Sequence, residues 1–437
     1  MYCMDQKEFT SIVQDVIQPL FTGSELIETP EVSSKAHAQV AFGENNYTLL
    51  LKPTKDDDYR FKLTRQQQFT NDDISIVKAI LNELNALGDI PVQYRDELLV
   101  VLVEKAISQS LVETEQQHKT LLSLLQRMHT WAGRTYEGRD VTFGIELDLN
   151  RQDGSDFQLN KYVGDDCFAL LSDGIDSKIK IDSSGNLIAI EQCPLCMEDL
   201  PKVPFRFMRF ANSLSPQGIG IILLENKEIL IIKEKELAYA YRRGFWRRFN
   251  HDAIIKRIAA GSKYPEEDVR IAIYSSCLDV SFARTGGSIT CLRKTREKRC
   301  QQERIAADEL IATGDSVKAI TARIVAADRT FDHIERKIRQ ELIGIDGATI
   351  LRSDGSLLAC GAIVKIRSGS VGGGRLASVL TLAEYGVAIK ISSDGEITGY
   401  YVEIPSQEEE ENIPADTKEQ QQEEVRQDKL HELFRFA

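Results

Sequence analysis

The most informative segment of the chain places one polar tripeptide between two apolar runs, Leu342-Ile343-Gly344-Ile345-Asp346-Gly347-Ala348-Thr349-Ile350-Leu351. The aliphatic and β-branched residues after Gly347 predict a buried strand, so Asp346 would lie where that strand begins. Farther along, the chain carries a second polar element rich in glycine, Ser368-Gly369-Ser370-Val371-Gly372-Gly373-Gly374-Arg375. A carboxylate at a strand start and a loop able to cradle phosphate together indicate nucleotide chemistry.

The elements around this segment predict a mixed α/β domain. Helical spacing and strand-like runs alternate in the following order: helices 264–281, 299–327 and 329–342, strands 348–352 and 357–366, the glycine loop, helix 375–384, and strands 386–391 and 396–403. Ser-Asp-Gly turns at 353–355 and 393–395 separate paired strands. This alternation is typical of an α/β sandwich built on a mixed sheet.

Changes of period and composition divide the whole chain into four predicted parts. Residues 1–150 read as an α/β module, and 151–250 as a β-rich module with hairpin turns such as Asp173-Gly174. Residues 251–405 form the mixed-sheet domain described above. Residues 406–437 carry ten acidic and four basic side chains, which predicts a mostly disordered acidic tail with an apolar end that could dock.

Composition excludes several classes of protein. The 54 basic and 67 acidic side chains give a formal charge of −13, which argues against a chain that coats nucleic acid or anionic membrane with its whole surface. Apolar runs are too short to span a membrane, and the first residues lack a secretory pattern, so we expect a cytoplasmic location. Eight scattered cysteines favour reduced thiols over a disulfide scaffold.

The polar elements of the last domain have a physical basis for binding phosphate. Gly372, Gly373 and Gly374 precede a predicted helix, so their backbone can approach a ligand closely while amide groups and the helix dipole face it. Arg375 can grip two phosphate oxygens at once. Asp346 can hold a divalent cation or orient a hydroxyl, and Gly347 leaves the backbone accessible.

Six short motifs follow one another in this domain: Arg284-Thr285-Gly286-Gly287-Ser288-Ile289, Ile345-Asp346-Gly347-Ala348-Thr349-Ile350, Asp354-Gly355, Ala359-Cys360-Gly361-Ala362, Gly373-Gly374-Arg375-Leu376-Ala377-Ser378, and Ala388 to Ile397. Their succession resembles the diadenylate cyclase domain, the catalytic domain found in the DNA integrity scanning protein. The resemblance covers about residues 260–404. Residues 1 to about 250 resemble a sensor module that precedes such domains, with Gly244-Phe245-Trp246 as its trace.

The resemblance implies synthesis of cyclic di-AMP from two ATP molecules, with Mg²⁺ or Mn²⁺ as cofactor. It implies that Asp346 lies beside a ribose 3′-hydroxyl and a metal-bound α-phosphate, with Gly347 and Ala348 lining the nucleotide. It also implies phosphate binding by Arg375, the second catalytic residue, together with Gly372, Gly373, Gly374 and Ser378. Asp346 and Asp394 are the implied metal ligands, and Glu396 is a weaker candidate.

The chain departs from the family pattern at the phosphate motif. The family has Arg-His-Arg followed by two small residues, whereas here the segment reads Gly374-Arg375-Leu376-Ala377-Ser378. Only one arginine remains, and Leu376 replaces a cation. Ile345 stands where many members carry a histidine before the aspartate.

The same resemblance sets the expected partners. One active site joins the 3′-hydroxyl of one ATP to the α-phosphate of another, so a homo-oligomer with face-to-face cyclase domains is expected. The N-terminal region would receive a small-molecule or protein signal, with no membrane partner and no expected nucleic acid. Two alternatives remain: a non-catalytic nucleotide sensor with the cyclase fold, and a cyclase-like enzyme using another nucleotide.

Three further patterns allow more than one interpretation. Cys193-Pro194-Leu195-Cys196 could bind zinc, but no second His or Cys pair lies nearby. Arg293 to Arg299 could contact nucleic acid or be a solvated connection. Arg242 to Phe249 has residue types that stack on nucleotides, but an aromatic strand edge is the commoner role of such a run.

Overall fold

The computed structural model describes residues 6–32, 38–86, 92–152, 158, 171–195, 198–259, 265–366, 373–403 and 430–436, with the side chains of 92–97 excluded. The chain divides into two compact units, Met1–Asn250 and His251–Ala437.

Helices and strands are mixed in both units, which confirms the predicted α/β class. The helices in the described ranges are α1 Gln6–Ile12, α2 Gln18–Leu20, α3 Asn71–Ala86, α4 Val92–Leu111, α5 Glu115–Ala132, α6 Met208–Asn212, α7 His251–Arg257, α8 Glu267–Ala283, α9 Glu297–Arg304, α10 Val317–Ala326, α11 Arg336–Gly344 and α12 Gly374–Leu382.

The strands in the same ranges are β1 Ser24–Val32, β2 Val40–Phe42, β3 Thr48–Leu51, β4 Tyr59–Arg65, β5 Thr135–Tyr136, β6 Arg139–Asp140, β7 Phe143–Asp148, β8 Ser177–Asp182, β9 Leu187–Gln192, β10 Gly218–Leu223, β11 Ile229–Lys233, β12 Glu236–Arg242, β13 Phe245–Arg248, β14 Gly287–Leu292, β15 Ala348–Leu351, β16 Leu357–Ala362, β17 Gly386–Ile391, β18 Ile397–Val402 and β19 Leu430–Phe436. None of the helices in these ranges is long and apolar enough to cross a membrane.

The first unit contains a four-stranded sheet in the order β1-β4-β3-β2 and a seven-stranded sheet in the order β13-β12-β11-β10-β7-β8-β9. The predicted division at residue 150 falls between β7 and β8. These two strands are hydrogen-bonded in parallel, with Ile145 opposite Ile179. The seven-stranded sheet therefore runs across that division.

The second unit is built on one mixed sheet in the order β16-β15-β14-β17-β18-β19. β14 and β15 are parallel, and the other neighbours are antiparallel. Side chains alternate across the sheet. Ala348 and Ile350 pack in the same apolar cluster as Val379 of α12, whereas the Thr349 hydroxyl donates to the Leu342 carbonyl of α11. Helices α11 and α12 thus cover opposite faces, which makes a sandwich.

A buried ion pair fixes the helix that leads to Asp346. Arg336, at the start of α11, donates from Nε and Nη2 to the two carboxylate oxygens of Asp279 in α8, at 2.7 and 2.8 Å. Both residues are at most 5% exposed. Two parallel charge-assisted bonds set orientation as well as distance, so α11 is held against α8 in one register.

One predicted helix is interrupted. The stretch 299–327 contains α9 and α10 separated by residues 305–316. In this separator Leu310 forms a β-bridge with Ala359, and the amide of Ile311 donates to the Leu358 carbonyl. Gly314 lies so close to Asp308 that a Cβ would collide with the Asp308 carbonyl. Pairing with β16, which sequence periodicity does not encode, ends the helix here.

The end of the predicted acidic tail forms part of the sheet. Residues 404–429 lie outside the described residues, but β19 pairs with β18 from Leu430 opposite Val402 to Phe436 opposite Ile397. The ring of Phe434 is 1% exposed and packs directly over Gly399. Phe436 stacks on Tyr274 with ring centres 5.5 Å apart. Residues 430–436 are therefore an integral strand of this sheet, which is where the apolar end of the chain docks.

We expect Phe434→Ala to lower the free energy of unfolding by about 3–5 kcal/mol, because it removes a buried ring and leaves a cavity over Gly399. Chemical denaturation of the full chain would measure this. His431→Ala is the matched control, since that side chain is 45% exposed on the same strand and should change stability by less than about 0.5 kcal/mol. Equal stability of both variants would contradict the packing described here.

Candidate active site

One edge of the second sheet collects the polar elements predicted from the sequence. β14 and β15 begin at this edge, because they are parallel and pair Ile289 with Thr349. β16 and β17 end there, since Ala362 pairs with Ala348 and Ile391 pairs with Gly287. The segments before β14, before β15 and after β17 consequently lie side by side. We call this edge the candidate site.

Asp346 lies at this edge between α11 and β15 and is exposed. Among the residues that the structure describes, no hydrogen bond or ion pair reaches its carboxylate; only its backbone carbonyl is bonded, by Nζ of Lys318 at 2.9 Å. An exposed carboxylate without a protein partner keeps its oxygens available for a metal ion or a hydroxyl.

The backbone conformation and the close packing at position 347 require glycine. Its φ is +110°, and a Cβ at this position would collide with the carbonyl group of Gly361 and lie 2.8 Å from the carbonyl oxygen of Ala362. Gly361 is itself left-handed, with φ +61°. The two glycines allow β15 and β16 to approach at an irregular point of their ladder. Ala348, predicted to line the nucleotide, instead buries its side chain in the core at 1% exposure.

Arg375 reaches the same edge from the first turn of α12. A Cβ built on Gly286 would lie 2.5 Å from Nη1 of Arg375, so the guanidinium lies against the backbone just before β14. Gly286 has φ +69°, and the Ser393 amide would be 3.2 Å from such a Cβ. No described residue forms a hydrogen bond or ion pair with this guanidinium. Its donors can therefore serve a ligand.

The start of α12 is open. A Cβ on Gly373 or Gly374 would meet no atom within 4 Å, and neither residue has a positive φ. Gly373 precedes the helix without a side-chain cap. Nothing in the described fold requires glycine here, whereas close approach of a ligand to the backbone would. Gly372 lies outside the described residues.

Ser378 is turned toward its own helix. Its hydroxyl donates to the Gly374 carbonyl at 2.6 Å. This bond occupies the hydroxyl proton, so Ser378 could offer a ligand only its oxygen lone pairs.

Asp394 lies in the exposed turn between β17 and β18. Its Oδ1 accepts from the amide of Glu396 at 3.3 Å. The Ser-Asp-Gly turn at the opposite edge is built in the same way, since Asp354 Oδ1 accepts from the Ser356 amide at 2.8 Å. Asp394 thus serves a local turn as Asp354 does, but only Asp394 lies at the candidate site. Glu396 accepts from the Thr398 hydroxyl at 3.5 Å.

The two predicted metal carboxylates lie on either side of β14. Neighbouring strands are about 4.8 Å apart, which separates the backbones of Asp346 and Asp394 by roughly 10 Å. Within the described residues no group of three or more His, Cys, Asp or Glu side chains could hold a metal ion. Two carboxylates this far apart do not form a protein cage for a divalent cation, and each could supply only part of its ligand set.

The sequence does not identify Lys318 as a site residue, and it shows Gly286 only as part of a motif. Lys318 is in α10, and its Nζ donates to the carbonyls of Asp346 and Gly361 at 2.9 and 2.6 Å. The sequence carried no local signal for this contact. Gly286 does have a sequence signal, because Arg284-Thr285-Gly286-Gly287 precedes a strand in the motif series.

The arginines of the basic and aromatic segment 242–249 bond to other residues of the first unit. Arg242 is 2% exposed and donates to Glu228 at 2.8 Å. Arg247 bonds the Pro19 carbonyl, and Arg248 is paired with Asp73. These contacts favour the interpretation as a strand edge. In the second basic run, Arg293 donates to the Val402 carbonyl at 2.6 Å, and Arg299 to Glu303 at 2.8 Å.

Thiol chemistry has no support in the described residues, whose cysteines are all free and buried. Burial raises the pKa of Cys291 and Cys300 to about 12 and that of Cys360 to about 11. It also raises the pKa of Cys193. These thiols stay protonated near neutral pH, which disfavours thiolate nucleophiles. Cys196 of the CxxC motif lies outside the described residues.

Comparisons with known proteins show little similarity. No protein-family model and no curated protein matches the chain. Among solved structures, a crystal structure of DacA from Staphylococcus aureus, a double mutant, matches 31% of this chain and 81% of its own at 15% identity, with a TM-score of 0.21.

We expect Gly347→Ala to reduce the free energy of unfolding by about 2–5 kcal/mol, through left-handed strain and collision with Gly361. Gly374→Ala is the control, because its Cβ meets open space and alanine favours a helix by up to about 1 kcal/mol. Thermal and denaturant unfolding of both variants would test this contrast. A stable Gly347→Ala would show that the backbones of β15 and β16 can separate without cost.

Proposed function

We propose that the second unit is a diadenylate cyclase domain that condenses two ATP molecules into cyclic di-AMP. One observation carries the proposal: the Asp346 carboxylate and the Arg375 guanidinium share one sheet edge, beside the open start of α12, yet neither pairs with the other or with any described group. Elsewhere in this unit, carboxylates such as Asp279 and Glu303 are paired with arginine. Unpaired opposite charges beside each other at one end of a sheet suit a ligand that carries both a phosphate and a hydroxyl.

The proposed roles follow from the positions of these residues. The amides at the start of α12 and the guanidinium of Arg375 bind phosphate oxygens. Arg375 lies beside the start of β14, and Asp346 lies at the start of the neighbouring strand, β15. There Asp346 orients the attacking 3′-hydroxyl and accepts its proton or holds a cation. Bound Mg²⁺ or Mn²⁺ would stabilise charge on the α-phosphate and on the leaving pyrophosphate.

The reaction balances over two transfers. Each 3′-oxygen forms a bond to the α-phosphorus of the other ATP, and each α–β phosphoanhydride bond breaks. Two pyrophosphates leave, and two hydroxyl protons are released. Because the first transfer joins two separate nucleotides, holding them in place replaces a bimolecular encounter, an effect worth about 7–11 kcal/mol in favourable cases.

The need for two nucleotides implies a second copy, and the surface next to the site supports one. Val317, Ile320 and Ile324 of α10 are 80%, 43% and 74% exposed, and Ile363 after β16 is 61% exposed. An exposed apolar patch of this kind is typical of a protein interface. We propose that another copy covers it and brings two sites face to face, with the first unit acting as the regulatory sensor.

Full-length protein incubated with ATP and Mg²⁺ or Mn²⁺ should form cyclic di-AMP, detected by chromatography and mass. We expect Asp346→Asn to lower the rate by at least about 100-fold, since proton transfer and cation binding are both lost. Asp354→Asn is the matched control in the turn at the opposite edge and should keep full activity. Activity that survives Asp346→Asn would overturn the assignment.

The small number of cations available to bind phosphate supports a second candidate function, that of a nucleotide sensor. Arg375 is the only cationic residue in the segment 374–378. The carboxylates of Asp346 and Asp394 lie beside different strands, with β14 between them. Such a site fits a nucleotide sensor without turnover. ATP binding without any product would favour this function, and a product formed only from another nucleotide would indicate a related cyclase.

Gly374→Ala separates ligand binding from stability. The added methyl group enters open space in the free protein, but it would occupy the approach of a phosphate to the α12 amides. We expect ATP affinity to fall about tenfold, equivalent to about 1.4 kcal/mol, while the melting temperature holds or rises. Titration calorimetry would measure the affinity. Unchanged affinity would place the phosphates away from α12.

A further inference from the structure

Lys318 is a cation at the candidate site without a carboxylate partner. It lies in the first turn of α10, and no ion pair to it exists among the described residues, although lysines such as Lys105, Lys178 and Lys337 are each paired with a glutamate. Its ammonium has three N–H donors, and the carbonyls of Asp346 and Gly361 take two of them. One donor and the full positive charge remain.

The fold holds this ammonium in place. Ser316 is the N-cap of α10, and its hydroxyl oxygen accepts from the Ala319 amide. Farther along the helix, Arg323 donates to the carbonyls of Ile311 and Gly314 at 2.6 and 2.7 Å. Ala319 and Ala322 are buried beneath the helix. A helix fixed at several points presents Lys318 in a defined position, which lowers the entropic cost of a charged contact.

Lys318 and Arg375 approach the site from different sides. Continuing the parallel register of β14 and β15 past their ends brings Gly286 level with Asp346. Arg375 lies against Gly286, and Lys318 bonds the Asp346 carbonyl on the side facing β16. The exposed Asp346 is therefore between the two cations.

We propose that Lys318 is the second cationic contact to the phosphates of a nucleoside triphosphate bound at this edge. This inference rests on the proposed nucleotide-binding function and deepens it. Lys318 supplies from a separate helix the charge that the segment 374–378 lacks after Arg375. A compact ammonium beside the Asp346 backbone suits a phosphate oxygen next to the carboxylate that handles the hydroxyl.

The test measures binding by the full-length chain with three probes: ATP, inorganic tripolyphosphate and adenosine. Lys318→Met removes the charge at similar length, and Lys318→Arg keeps it. Lys337→Met is the matched control, since Lys337 lies half-exposed in α11 and pairs with Glu341. Thermal unfolding of each variant reports its stability.

We expect Lys318→Met to weaken ATP and tripolyphosphate at least about tenfold, as for loss of a hydrogen bond to a charged group. Adenosine affinity should stay unchanged, Lys318→Arg should retain most binding, and Lys337→Met should match the unaltered chain. Unchanged ATP affinity in Lys318→Met would overturn the inference and leave the proposed function standing. Equal loss of ATP and adenosine would show a purely structural role and also overturn it.

The two proposals fail differently. Binding of tripolyphosphate that depends on Lys318, with no added affinity for ATP, would support the phosphate contact and contradict the nucleotide function. An unaltered chain that binds none of the three probes would overturn both.

Discussion

The close approach of Gly347 to the carbonyl of Gly361 is the constraint on which the candidate site depends. It brings the start of β15 against the end of β16 at a point where the ladder is irregular, and it leaves two carbonyls directed at Lys318. Asp346 is the residue just before this contact, so its backbone is fixed while its side chain stays exposed. The Arg336–Asp279 pair acts on the same segment from the other end, because it sets the position of α11.

The charged side chains of the described residues fall into two groups, those paired within the fold and those left unpaired. In the first unit, cations that looked available in sequence are used internally, as Arg242 is by Glu228 and Arg248 by Asp73. At the edge beside β14, Asp346, Arg375 and Lys318 have no oppositely charged partner among the described side chains. Charges that pair within the fold largely cancel each other and attract ligands weakly. Unpaired charges at one edge of the sheet create a local electrostatic field that attracts charged ligands. The contrast distinguishes the candidate site more sharply than the overall charge of −13 does.

Local chemistry made much of the second unit predictable. The Ser-Asp-Gly turns and the aliphatic runs on both sides of them give β15–β16 and β17–β18, and the glycine before Arg375 marks the start of α12. Lys318 could not be found in this way, because its contacts join residues far apart in sequence and its neighbours carry no motif. The break between α9 and α10 was missed for the same reason, since pairing of Leu310 with Ala359 overrides helical spacing. The strand at 430–436 was hidden by the acidic composition before it.

The pairing of Val402 with Leu430 has a consequence for how this chain can vary. These residues are neighbours in the ladder, so a turn of two residues would be enough to join β18 to β19, yet residues 403–429 intervene. The entropy cost of closing a connection grows slowly, by about 0.6 kcal/mol for each doubling of length. Insertions, deletions and changes of charge between these strands should leave the sheet almost untouched. The spacing of Phe434 and Phe436 is fixed by Gly399 and Tyr274, so the tolerance for changes in sequence length ends where β19 begins.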